Sequence, residues 1–179
     1  MTCVKRDSMH AMGNVKLAVT EEEISACYPV MALLRPHVCA EAFLPAVRRM
    51  GEQGYRLAYL AAEERVQAVA GFRIIEMLRT GPMLEVDDLV TLDDGRSKGY
   101  GGELLRWCYQ YARERGCSVV ELDSAVTRAS AHRFYFRERM HVLAFHFSHT
   151  LYAHGQPARD PADADHAVRT STSSAHSGN

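Results

Sequence analysis

Asp93-Asp94-Gly95-Arg96-Ser97-Lys98-Gly99-Tyr100-Gly101-Gly102 is the stretch on which the reading of this chain turns. Before it lies an extended, largely apolar run, Met83–Thr91, which predicts a strand. After it, Leu104, Leu105, Cys108, Tyr111 and Ala112 recur at helical spacing and predict a helix over Tyr100–Arg115, stopped by Gly116. Glycines at 99, 101 and 102 let the backbone take tight or left-handed conformations without a side-chain clash. Successive N–H groups can then face one concavity, and the helix N-terminus adds unpaired donors and partial positive charge. Arg96 and Lys98 add full charges, so the segment suits a phosphate or pyrophosphate. The P-loop pattern GxxxxGK[ST] is absent, and Leu104 stands where a dinucleotide fingerprint needs its third glycine. What remains is Arg-x-x-Gly-x-Gly, a pattern that a glycine-rich turn with merely solvated basic residues also satisfies.

Outward from this loop the chain reads as one domain with spare ends. Residues 1–13 are expected to form a flexible leader, 14–152 the domain, and 153–179 a disordered tail, because the last stretch is polar, small and Pro-containing. Asn14–Val19 reads as a first strand. Thr20 and Glu23 have capping-box spacing for a helix that runs to about Leu34, with a kink or break at Pro29. Glu41–Met50 reads as a second helix. Tyr55–Ala62 and Val66–Leu78 read as an antiparallel pair about a Glu63-Glu64-Arg65 turn. Downstream, Ser118–Asp123 reads as a buried central strand, Arg128–Arg139 as an amphipathic helix and Val142–Phe147 as a last strand. Meandering strands followed by strands alternating with helices predict a mixed α/β fold.

Composition bounds the function. Of 179 residues, 47% are hydrophobic and 24% charged, which is ordinary for a globular chain. Lys and Arg number 21 against 22 Asp and Glu, a formal net charge of -1, so nothing calls for nucleic acid. Five cysteines without a CxxC pair argue against a disulfide framework or zinc ribbon and fit a reducing, cytoplasmic setting. No run approaches the roughly 18 apolar residues of a membrane span, and no membrane partner is expected. His141, His146 and His149 match no metal-binding spacing, so no metal is expected; His146 is expected half-buried and His149 exposed. Cys108 and Cys117 read as core thiols. Trp107 lies off the main apolar stripe of its helix, which leaves it to a neighbour or to a second subunit in a homodimer.

Two motifs carry a resemblance. Arg96-x-x-Gly99-x-Gly101 after DLVTLDD resembles the pyrophosphate-binding signature of the GNAT (GCN5-related N-acetyltransferase) superfamily. Ala131-His132-Arg133-Phe134-Tyr135, followed by Met140, resembles its A-x-x-F-Y motif. The likeness spans about residues 14–150 in element order. It implies a largely antiparallel central sheet of six to seven strands flanked by about four helices, and an enzyme that moves an acetyl group from acetyl-CoA to a primary amine of a small molecule or protein by direct attack in a ternary complex. A non-catalytic acyl-CoA-binding module is the alternative; a nucleotide-binding regulator is disfavoured by the missing P-loop Lys-Ser/Thr. Cofactor contacts are implied for Leu89, Val90, Arg96, Ser97, Lys98, Gly99, Tyr100, Gly101, Gly102 and Arg128, the last standing where many members carry a pantetheine-contacting Asn. Arg139-Met140 replaces the family's usual Gly-Phe.

The reaction needs a base, an oxyanion donor and an acid. A lysine-like amine with a pKa near ~10.4 must shed a proton. Glu85 and Asp87, placed by strand alternation on one face with Asp88 on the other, are the candidate bases. A backbone N–H near Leu89 or Val90 is the implied oxyanion donor. Tyr135, a phenol that keeps its proton at neutral pH, is the implied acid for the departing thiolate. Tyr28, Arg35 and His37 fall where the family builds its acceptor pocket, with Arg73 and Glu76 as weaker candidates.

Overall fold

A computed structural model of the chain describes residues 15–93, 98–149 and 151. The expected leader, nearly all of the expected tail and loop residues 94–97 lie outside them. The chain divides into two units, residues 1–141 and 142–179.

In the first unit Thr20 and Glu23 close the capping box at the start of α1 (Glu21–Ala26). The helix breaks at Cys27 and resumes as the short α2 (Tyr28–Met31), because Pro29 cannot donate the hydrogen bond that would carry α1 onward. α3 (Ala40–Glu52) follows, with Pro45 inside it. Three strands then meander, β2 (Arg56–Ala62), β3 (Arg65–Met77) and β4 (Gly81–Thr91). The tight turn between β2 and β3 holds Glu63 and Glu64 at positive φ. α4 (Tyr100–Glu114), β5 (Val119–Leu122) and α5 (Ala129–Arg137) complete the order. With β1 (Val15–Leu17) the strands form one five-stranded sheet, β1-β2-β3-β4-β5. Neighbours are antiparallel except the parallel pair β4–β5.

Strand alternation builds two cores, one on each face. Ala58, Leu60, Ala70, Phe72, Leu84 and Val86 pack against Leu104, Trp107, Cys108 and Tyr111 of α4. Leu57, Tyr59 and Val69 pack against Ile24, Val30, Met31 and Phe43 of the N-terminal helices.

Four expectations are corrected. The sheet has five strands among the described residues rather than six or seven, because residues 142–149 of the second unit show no strand and are exposed. His146, expected half-buried, is exposed with them. β5 is an edge strand, half-buried throughout, rather than a buried central one. Trp107 is 5% exposed and lies against Phe72 and Tyr111. It sits three residues after Leu104 and four before Tyr111, so it falls on the wide face that a helix buries against a sheet.

Candidate active site

The site begins with a fault in β4. Phe72 pairs with Val86 but Gly71 pairs with Asp88, so Asp87 is an extra residue with no partner on β3. A bulge of this kind bends the strand and shifts its alternation by one. Asp88, expected on the face opposite Glu85 and Asp87, therefore turns toward the N-terminal helices and is buried there. Its Oδ1 accepts from Arg35 Nε at 2.7 Å and its Oδ2 from the Tyr55 hydroxyl at 2.7 Å. The Tyr55 phenol is held neutral by burial and then by the Asp88 charge beside it. Gly71 leaves the room this needs: a Cβ there would fall 1.8 Å from Tyr55 Oη. Arg35 also donates to the Asp87 carbonyl at 3.2 Å, and the Asp87 carboxylate takes Arg73 Nε at 2.8 Å.

Beyond the bulge β4 and β5 part. Their pairing runs from Met83 and Val119 to Val86 and Leu122 and stops there. A cavity of about 350 Å³ opens at this point, lined among others by Arg35, Glu85, Asp87, Leu89, Arg128 and Tyr135. Both candidate bases and the candidate acid thus share one cavity. Among the described residues Glu85 has neither a hydrogen-bond nor an ion-pair partner. Its pKa is raised, first by desolvation and then by the charges of Asp123, Asp87 and Glu121. The Tyr135 phenol is also pushed up by burial, against a smaller opposing effect of Arg128. Ser124 adds a buried hydroxyl to the same lining, without a partner among the described residues.

At the far end of β4 the chain enters α4 through Gly99, which caps the helix in the left-handed region at φ 88°. Among the described residues no side chain caps this end, which leaves the first-turn amides of Tyr100, Gly101 and Gly102 without a capping side chain there. A Cβ on Gly101 would meet Thr91 Oγ1 at 3.2 Å, and one on Gly102 would fall 2.6 Å from Glu138 Oε1. Gly102 therefore also lets α4 approach the end of α5. Lys98 pairs with Glu63 at 2.8 Å. Arg96 and Ser97 lie outside the described residues. Val90 packs with the N-terminal helices' core, while Leu89 lines the cavity.

Other candidates fall elsewhere. Tyr28 donates to the Val38 carbonyl and packs on Phe43, a structural role. His37 and Glu76 are exposed and do not line the cavity. Arg73 pairs with Asp87 and does not line the cavity. Cys27 and Cys108 are core thiols whose pKa burial pushes up to about 12. Sequence reading missed Asp88 and Tyr55, whose meeting across 33 residues leaves no local signal. Among the described residues there is no group of three or more His, Cys, Asp or Glu placed to hold a metal, and no helix long and apolar enough to cross a membrane.

Comparison with known proteins agrees with this architecture. Residues 20–141 match the family described as Acetyltransferase (GNAT) family. The chain is 34% identical over 125 residues to the Uncharacterized N-acetyltransferase YhdJ of Bacillus subtilis (strain 168), covering 69% of this chain and 88% of that protein. It is 28% identical over 150 residues to an aminoalkylphosphonate N-acetyltransferase of Salmonella typhimurium (strain LT2), covering 82% and 97%. In fold it is similar to a GNAT family acetyltransferase of Staphylococcus aureus, with a TM-score of 0.64 at 16% identity over 76% of this chain and 97% of that one. These likenesses define an N-acyltransferase, an enzyme that takes its acyl group from a CoA thioester and gives it to an amine. The chain belongs to the GNAT acetyltransferase family.

Proposed function

We propose that the chain transfers the acetyl group of acetyl-CoA to a primary amine of a small molecule or protein within a ternary complex, with Glu85 as base and Tyr135 as acid. The observation that carries this reading is the shared cavity at the parting of β4 and β5, with Glu85 and Tyr135 both in its wall. Acetyl-CoA lays its pyrophosphate on the amides of Tyr100, Gly101 and Gly102, with Arg96, Ser97, Lys98 and Gly99 completing the cradle. Its pantetheine follows the free edge of β4 at Leu89 and Val90, and Arg128 flanks its thioester end.

The acceptor ammonium gives one proton to Glu85. Its nitrogen then attacks the thioester carbon, and a backbone N–H near Leu89 or Val90 meets the oxyanion. On collapse the C–S bond breaks and the thiolate takes the Tyr135 proton; the amide nitrogen sheds its second proton, and Tyr135 is reprotonated. Glu85 fits the base better than Asp87, whose carboxylate is committed to Arg73. Its raised pKa brings it closer to the operating range of a base.

The test is calorimetry with acetyl-CoA on the wild type and on Gly101→Glu, followed by CoA release with an amine panel. Binding by the wild type and its loss in a folded variant is the expected result. A folded wild type that does not bind acetyl-CoA overturns the reading.

A further inference from the structure

The cavity carries two opposite charges whose surroundings differ. Asp87 is neutralised by Arg73, and Asp123 is itself engaged. Glu85 has no ion-pair partner among the described residues, which leaves it as the wall's open negative charge. Arg35 is held differently from an ordinary surface arginine. Its Nε is fixed by Asp88, which is 7% exposed, and one Nη by the Asp87 carbonyl, yet the side chain stays 45% exposed and lines the cavity. Asp88 is fixed in turn by Tyr55, in space kept open by Gly71. A buried carboxylate and a backbone carbonyl thus hold Nε and one Nη of a planar fork that lines the cavity, and the other Nη has no partner among the described residues. A guanidinium held this way matches a planar or tetrahedral oxyanion and loses little freedom on binding one.

We infer that Arg35 selects acceptors that carry an anionic group, a carboxylate or a phosphonate, so that the substrate is a small zwitterionic amine with its ammonium toward Glu85 and its anion on Arg35. This rests on the acetyltransferase reading above and deepens it. Arg128, the other cation of the wall, is placed beside Tyr135 and so at the thioester rather than at the acceptor's far end.

The experiment compares kcat/KM of the full chain with acetyl-CoA for β-alanine, aminoethylphosphonate, propylamine and diaminopropane, on the wild type and on Arg35→Lys. Lysine keeps a charge beside Asp88 but lacks the fork; thermal unfolding of each variant and its acetyl-CoA affinity report whether the fold and cofactor site are intact. The wild type is expected to favour an anionic acceptor over propylamine by roughly tenfold or more, the scale of a hydrogen bond to a charged group, and Arg35→Lys to erase most of that preference through the KM of the anionic acceptors. The ratio of β-alanine to aminoethylphosphonate turnover identifies the anion. Equal or better use of propylamine or diaminopropane overturns the assignment and leaves the acetyltransferase reading standing. So does a preference that survives in folded Arg35→Lys, or a chain that binds acetyl-CoA and acetylates neither anionic amine. Failure to bind acetyl-CoA overturns the reading beneath it.

Discussion

Two side chains of the cavity titrate in ways that separate their roles. Burial raises the Tyr135 phenol, so it retains its proton across the neutral range. Tyr135→Phe is expected to lower kcat by roughly 100-fold or more, the usual scale of losing a positioned acid, with acetyl-CoA affinity unchanged by calorimetry. Glu85 is raised chiefly by desolvation, so with Glu85 as the proposed base activity is expected to rise with pH as it ionises, with an acid limb above the ordinary carboxylate range near ~4.3. Glu85→Gln should lower kcat/KM and remove that limb from the pH–rate profile. The same shift has a stability consequence of defined sign. A carboxyl whose folded pKa exceeds its unfolded value favours the fold in its protonated form, and that favour is lost as pH rises through the folded pKa. Glu85→Gln should therefore melt higher than the wild type at neutral pH. The difference should close as pH falls below the unfolded carboxylate pKa. A Tm gap that is flat with pH would show that Glu85 is not desolvated.

At the scale of elements, the bulge in β4 decides what the cavity contains. It turns Asp88 inward, and the Asp88 bonds to Arg35 and Tyr55 tie β4 to the connection after α2 and to the residue before β2. Gly71 sits opposite the bulge with no room for a methyl group: a Cβ would fall 2.8 Å from Asp88 Oδ2 as well as on the Tyr55 hydroxyl. Gly71→Ala is expected to cost about 1–3 kcal/mol in denaturant unfolding, as overpacking does. It should raise the acceptor KM more than the acetyl-CoA Kd, since the clamp borders the acceptor side. Local signals made the helices and the meander legible. The Thr20–Glu23 box, the α4 stripe and the Glu63-Glu64 turn each act within a few residues. The bulge left no such trace, because Glu85-Val86-Asp87-Asp88 has no glycine or proline to mark it, and Arg35 meets Asp88 across 53 residues. β5 misled for a related reason: its apolar run fits a central strand, but its place at the edge depends on which strands pair, not on its own composition. Val142–Phe147 reads as a last strand, yet residues 142–149 show no strand and are exposed. The proposed acid and the glycine cradle stand in recognisable motifs, whereas Glu85 and Asp87 stood out only as carboxylates on the strand entering the site; Glu85, Asp87 and Tyr135 line one cavity.

For the whole molecule, the proposed cofactor joins parts that the chain otherwise holds separately. The free edge of β4, the first turn of α4 and the cavity wall at α5 would all contact one acetyl-CoA, so binding is coupled to the integrity of the fold rather than to one loop. A ligand that binds only the native state adds about 2.7 kcal/mol at 100 times its Kd, which for a domain of this size raises Tm by roughly 5–10 °C. Acetyl-CoA is expected to give such a shift and ATP little, since ATP shares the phosphates but has no pantetheine to run along Leu89 and Val90. Gly101→Glu should abolish the acetyl-CoA shift, and its ligand-free Tm should fall only as far as easing the new Cβ's contact with Thr91 requires. An acidic side chain in the first turn of α4 suits the helix dipole, so its charge acts chiefly on the incoming pyrophosphate. Differential scanning fluorimetry of both proteins with both ligands measures this directly. An ATP shift equal to that of acetyl-CoA would mean that the helix N-terminus recognises phosphate alone and that the β4 edge contributes nothing to binding.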